Sequence, residues 1–369
     1  MRNADGDALP DPRDLPAIDA LPDPFLRPDG TRVRTRREWR AQRDVLLRRV
    51  LHYEYGALPL AAAVAGDVLR SRTLRRSRAV EHAMRLRIGN ERPLSVRMIL
   101  TVPDGGGPFP VIVRGDLGWA RTRPEIVAAV VQRGYALADF DRTQIAADAA
   151  GETGVHRLQK GYDGGRIAAW AWGFHRVIDY LETLPFVDRT RIVVTGHSRG
   201  GKAALLAGAT DARIALTAPN NSGCGGAGCF RIAGRGSEDI RAITKTFPYW
   251  FHSRFAQFAG ARVARLPFDQ HTVKALVAPR ALFSTEALGD LWANPRGTQV
   301  SHRAAKEVFA FLGAADRTDI RFRDGGHGHN ASDWAALLDF ADWQLFGRNV
   351  FDRPAFPDAP EDFGWRAPG

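Results

Sequence analysis

The sequence predicts a three-layer α/β fold, with a mostly parallel central sheet, helices on both faces and an antiparallel pair of strands at the front. Three observations carry this. Short β-branched runs alternate with helical stretches from Pro110 to Phe346, the pattern of strands joined by right-handed crossovers. Ahead of them lie two segments in which apolar residues recur at every second position. Finally, 369 residues of which 44% are hydrophobic suffice for one large sheet, and no repeat or low-complexity tract divides them.

In chain order, residues 1–35 are rich in Pro, Asp and Arg and read as an extended arm. Residues 36–369 read as a single catalytic-sized domain. Trp39, Val45, Leu46, Val50 and Leu51 recur at helical spacing between Arg36 and Tyr55. Met84, Leu86 and Ile88 share one strand face, and Leu94, Val96, Met98, Leu100 and Val102 another. Buried parallel strands follow at Pro110–Gly115, Tyr135–Phe140, Arg191–Gly196, Ile214–Pro219, Arg280–Thr285 and Asp319–Arg323. Helices are expected at Pro124–Arg133, Arg166–Leu184, Gly200–Ala209, Arg303–Leu312 and Ser332–Phe346, with a long insertion after Pro219.

Composition excludes several classes. No apolar run approaches the roughly 20 residues that span a bilayer, and the N-terminus has no apolar core of a signal peptide. As written, the chain therefore reads as cytoplasmic. The net charge of +11 would suit a polyanion, but the basic residues are scattered, and the densest cluster, Arg70–Arg78, reads as a solvated surface. Neither nucleic acid nor membrane is an expected partner, and a monomer is expected. Cys224 and Cys229 allow one bridge or two free thiols, and no third or fourth ligand makes them a zinc site.

The most informative stretch is Arg191–Ala209, where Gly196-His197-Ser198-Arg199-Gly200 follows a β-branched run and precedes an Ala/Leu-rich helix. In that context G-x-S-x-G predicts a sharp strand-to-helix turn that exposes the serine hydroxyl and aims nearby N–H groups at one point. A serine needs a base. In α/β-hydrolases the order is serine, acid, histidine, and Gly325–Asn330 supplies His327, with His329 as the fallback. For the acid, the loop after the preceding strand offers Asp290, with Glu286 at the strand's end as the alternative. His271 reads as a structural hydrogen-bonder. This chemistry calls for no cofactor and no metal.

GHSRGGKAAL, NNSGCGGAGCFR, LPFDQH, ALVAPRALF, DLWANPRG and DWAALLDFADWQLF, in that order, resemble the glucuronoyl esterases of carbohydrate esterase family fifteen, particularly their bacterial branch. The resemblance spans nearly the whole chain. It implies cleavage of an ester between a (4-O-methyl-)glucuronic acid carboxyl and an alcohol, as in lignin–xylan cross-links or smaller uronate esters. It further implies that Arg199 supports the oxyanion, and that Lys202, Glu238 and Trp292 line the sugar site. The residue types suit these roles: a guanidinium presents several fixed donors, and a Trp face fits the C–H surface of a sugar.

Two departures stand out. Asn221 occupies the position where fungal members carry their catalytic Glu, so the acid must come from elsewhere or the triad is incomplete. His197 replaces the fungal cysteine before the serine, so the corresponding disulfide cannot form. The family is also commonly secreted, whereas no leader is visible here. The alternatives are an acetyl-sugar esterase with the same triad, and a non-catalytic carbohydrate-binding homologue.

Overall fold

A computed structural model of the chain describes residues 9–152, 154–348 and 363–368. The first eight residues of the arm and residues 349–362 of the domain expected to follow it thus lie outside the described residues. The Thr35 side chain accepts the Glu38 N–H and Glu38 accepts that of Thr35, which starts helix α1 (Arg36–Val50) with a reciprocal cap. A wider turn, Leu51–Tyr55, continues it to Gly56. There φ is 78°, and Gly164 Cα lies 2.6 Å from where a Cβ would stand, so only glycine fits.

Strands β1 (Val64–Leu74), β2 (Ala79–Ile88) and β3 (Leu94–Pro103) form an antiparallel meander. Met84, Leu86, Ile88, Leu94, Val96, Met98 and Leu100 are buried, while Arg85, Arg87, Ser95 and Arg97 alternate outward. The meander contains one strand more than the alternation predicts, namely the edge strand β1.

Strand and helix then alternate through β4 (Phe109–Arg114), α2 (Pro124–Gln132), β5 (Ala136–Phe140), α3 (Gly154–Leu158), α4 (Arg166–Leu181), β6 (Val187–His197), α5 (Arg199–Thr210) and β7 (Ile214–Asn220). Two short helices, α6 (Ile240–Thr246) and α7 (Gln270–Ala275), sit in the insertion; β8 (Ala281–Ala287), α8 (Pro295–Phe311), β9 (Thr318–Arg323) and α9 (Ala331–Phe346) complete the fold. The sheet order is β1-β2-β3-β5-β4-β6-β7-β8-β9, antiparallel as far as the β3–β5 pair and parallel beyond it.

Burial on both faces explains why the parallel strands read as continuous apolar runs. Val111, Val113, Ile192 and Val194 join the core beneath α4 and α5. Their neighbours Ile112, Val193, Leu216 and Phe283 pack on the other side against Ile126 and Val130 of α2 and Trp334, Leu337 and Phe340 of α9. Each such side chain contributes about 1.5–3 kcal/mol of burial. The result is the three-layer α/β-hydrolase arrangement with its antiparallel front.

Residues 9–35 lie against the domain. Phe25 is fully buried beside Trp39 and Phe311, with ring centroids 5.5 and 5.1 Å away. His271 Nε2 donates to the Pro22 carbonyl at 2.9 Å, a structural bond. Cys224 and Cys229 are buried free thiols. Among the described residues no helix is long and apolar enough to cross a membrane.

Candidate active site

Strand β6 ends at His197 and α5 begins at Arg199, so Ser198 alone makes the turn, with φ 56° and ψ −121°. A non-glycine residue held there costs about 1–3 kcal/mol, and the surroundings enforce it. The Ser198 N–H donates to the Asn220 carbonyl and the His197 N–H to the Asp116 carboxylate, both at 2.9 Å. A Cβ on Gly196 would meet the Gly200 carbonyl oxygen at 2.4 Å, and one on Gly200 would meet Asp116 Oδ1 at 2.1 Å. Both glycines of the motif are thus required by close approach.

Asp116 anchors the elbow from below. It is buried and paired with Arg142 and, at 3.5 Å, with Arg114. Burial alone would raise its carboxyl, but the two guanidinium groups outweigh that and hold it below the usual carboxylate range. Arg142 in turn lies over the rings of Trp119 and Trp170, 5.5 and 5.0 Å from their centroids.

His327 stands in the loop after β9, and its Nδ1 is 2.6 Å from Asp290 Oδ2. An ionised carboxylate only accepts, so Nδ1 carries the proton and Nε2 is left with its lone pair. Glu286 makes no such bond. It is buried in β8, neither oxygen has a hydrogen-bond partner among the described residues, and burial pushes its carboxyl well above the ordinary range. His329 is half-buried and stacks on Trp334 at 4.9 Å instead.

Asn221, the residue that raised the question of a missing acid, has a different task. Its Oδ1 accepts the Ala287 N–H at 2.7 Å and its Nδ2 donates to the Gly328 carbonyl at 2.9 Å. It therefore ties the end of β8 to the loop that carries His327.

Arg199 opens α5 with its guanidinium paired to Asp148 and enclosed by aromatic faces. The ring centroids of Trp119, Trp250 and Phe247 lie 4.2, 4.6 and 5.1 Å away. Asp148 also accepts the Trp250 indole N–H at 2.7 Å. The first N–H groups of α5 have no partner within the helix, which leaves backbone donors beside Ser198. In the loop after β4, the Leu117 and Trp119 N–H groups are already donated to the Phe140 and Asp116 carbonyls.

Lys202, one turn further along α5, is buried and donates to the Ser222 and Cys224 carbonyls at 2.5 and 2.6 Å. An ammonium has three donors, so one remains. Glu238 is also buried. Burial lowers the Lys202 ammonium and raises the Glu238 carboxyl, and each charge opposes the shift of the other. Trp292 is half exposed, and its carbonyl accepts the Glu238 N–H at 3.0 Å.

One cleft of about 360 Å³ brings together Ser198, Arg199, Lys202, Glu238, Asp290, Trp292 and His327, which are all the site residues expected from the sequence. Phe247, Trp250 and Asn221 are among the other residues that line it. A larger open groove of about 1400 Å³ lies between the β2–β3 turn and α3, away from Ser198 and His327. Sequence reasoning did not find Asp116, Asp148 or Asn220. The one signal was an acidic residue just after the buried run ending at Arg114, where a charge needs a buried partner.

Fold and site together define a hydrolase-type nucleophile elbow in an α/β-hydrolase sheet. The family model for fungal glucuronyl esterases matches residues 88–313. A 4-O-methyl-glucuronoyl methylesterase of Phanerochaete chrysosporium is 32% identical over 90% of this chain and 70% of its own length. A carbohydrate esterase from an unknown prokaryotic organism is 29% identical over 89% of this chain and 90% of its own. Among solved structures, a carbohydrate esterase family 15 glucuronoyl esterase from Caldicellulosiruptor kristjansonii superposes with a TM-score of 0.81 at 32% identity, covering 95% of this chain and 97% of that one. The chain belongs to the glucuronoyl esterase family.

Proposed function

We propose that this chain is a carboxylic ester hydrolase that cleaves an ester of (4-O-methyl-)glucuronic acid through Ser198, His327 and Asp290. The observation that carries the reading is the 2.6 Å bond from His327 Nδ1 to Asp290, in the cleft that also holds Ser198, Lys202, Glu238 and Trp292. The names of the relatives, 4-O-methyl-glucuronoyl methylesterases among them, support the substrate class.

The uronate ring binds against Trp292 with its hydroxyls toward Lys202 and Glu238, and its ester carbonyl meets Ser198. His327 Nε2 takes the hydroxyl proton as Oγ attacks, and Asp290 stabilises the resulting imidazolium. Negative charge moves to the carbonyl oxygen, where the α5 N–H groups and the Arg199 guanidinium receive it. Collapse of this intermediate breaks the C–O bond, and the alcohol leaves with the proton from His327. Water, deprotonated by the same nitrogen, then attacks the acyl-enzyme, which releases the uronate and restores Ser198.

Substrate class is tested by comparing methyl glucuronate with acetylated xylo-oligosaccharides. Hydrolysis of the uronate ester is expected to dominate, and a preference for the acetylated sugars would replace this reading with the acetyl-esterase one. Lys202→Met should raise KM for methyl glucuronate about tenfold to hundredfold, the range for a hydrogen bond from a charged donor. KM for a small acetate ester should hardly move. An equal rise for both esters would mean that Lys202 only braces the 222–224 segment.

A further inference from the structure

We infer that His197 is a positioning residue for the catalytic imidazole, packing its ring against that of His327 while Asn220 fixes its orientation. The inference rests on the Ser198–His327–Asp290 reading above and adds a residue that touches neither substrate nor reacting atoms.

The geometry begins with an amide. Asn220 Nδ2 donates to Thr285 Oγ1 at 2.8 Å, which turns Asn220 Oδ1 toward His197 Nδ1, 2.6 Å away. A carbonyl oxygen only accepts, so His197 Nδ1 carries the proton and the tautomer is fixed. The main chain of His197 is held as well, through its N–H to Asp116 at 2.9 Å. With both ends tied, the ring has one place to lie.

That place is between the two histidines of the β9–α9 loop. The His197 centroid is 4.4 Å from that of His327, with an interplanar angle of 47°, and 6.1 Å from that of His329, with an angle of 26°. His329 in turn stacks on Trp334. A column of rings therefore runs from α9 through His329 and His197 to His327.

His327 needs such support, because 44% of its side chain is exposed. Among the described residues its polar anchor is the one bond to Asp290, and a single bond leaves the ring free to swing about it. A flat neighbour at 4.4 Å removes that freedom. Burial lowers the proton affinity of His197, and proximity to His327 adds to this while Asn220 and Asp116 oppose it. A neutral His197 costs nothing when His327 takes up its proton, whereas a charged one would repel it.

Two variants separate the ring from the hydrogen bond. His197→Asn keeps a donor for Asn220 and removes the flat face. His197→Phe keeps the face and removes the donor. With methyl glucuronate, His197→Asn is expected to lower kcat about tenfold to hundredfold, the cost of a slightly misplaced base, while KM stays within about threefold. His197→Phe should retain more activity than His197→Asn. The downfield proton resonance of His327 Nδ1, assigned by its loss in Asp290→Asn, should broaden in His197→Asn and persist in His197→Phe.

Unchanged kcat and an unchanged resonance in His197→Asn would overturn the inference, as would equal losses in both variants. Should His197→Phe fail to fold, His197→Asn decides alone, since it retains the polar contacts of the elbow. Ser198→Ala keeps the two readings apart. If it is inactive while both His197 variants behave as wild type, only the positioning role falls. If it remains active, the catalytic reading falls first.

Discussion

Ser198→Ala is expected to lower kcat by about 10⁶-fold, the loss seen when the nucleophile of a triad is removed, while residual binding and the oxyanion donors remain. The fold should survive, because the Ser198 backbone, not its hydroxyl, makes the bond to Asn220. Alanine takes over the φ of 56° that Ser198 already holds, so thermal stability should change little. The check is steady-state hydrolysis of methyl glucuronate together with labelling by a fluorophosphonate, which should modify the wild type and leave the variant untouched. Retained turnover would move the nucleophile elsewhere.

Asp290→Asn is expected to lower kcat by about 10⁴-fold with little change in KM. Asparagine can accept the Nδ1 proton but carries no charge to stabilise the imidazolium, and it can instead present its NH₂ and select the wrong tautomer. Among the described residues, Asp290 is the carboxylate hydrogen-bonded to His327. Glu286 is buried and bonded to nothing on His327, and Asn221 is neutral and engaged with Ala287 and Gly328. A loss of less than about tenfold would show that Glu286 takes over as the acid. In that event Asp290→Asn/Glu286→Gln should be far slower than either single variant.

The parallel half of the fold was legible because two-sided burial writes itself as apolar runs: Val111–Val113 and Ile192–Val194 are readable without any structure. The edge strand β1 was not. Its eleven residues expose most of their length, with Val68 and Leu69 both more than half exposed, so neither face is apolar enough to show alternation. Helix α8 begins at Pro295, eight residues before the expected Arg303, because Thr298 and Ser301 are buried polar residues. Ser301 bonds to the Ala227 carbonyl and Lys274, partners that no local pattern reveals.

The same division runs through the site. Ser198, His327 and Asp290 follow from a local motif and the chain order of a known fold. Lys202, Glu238 and Trp292 came from resemblance. Asp116, Asp148 and Asn220 act through side chains brought near from distant segments, and a single sequence offers little to find them by. Asn221 could be located but not interpreted, since its bonds to Ala287 and Gly328 exist only once β8 and the β9–α9 loop are side by side.

The pairing of Arg199 with Asp148 bears on how a turnover ends. Hydrolysis converts an uncharged ester into an anion, and a bare guanidinium there would grip that anion. Here Arg199 is matched by Asp148, Lys202 lies in the field of Glu238, and Asp290 adds a further negative charge, so the cleft has no unbalanced cation to retain the newly formed acid. The arrangement favours departure over retention, and free glucuronate should accordingly inhibit only at concentrations well above the KM of its methyl ester.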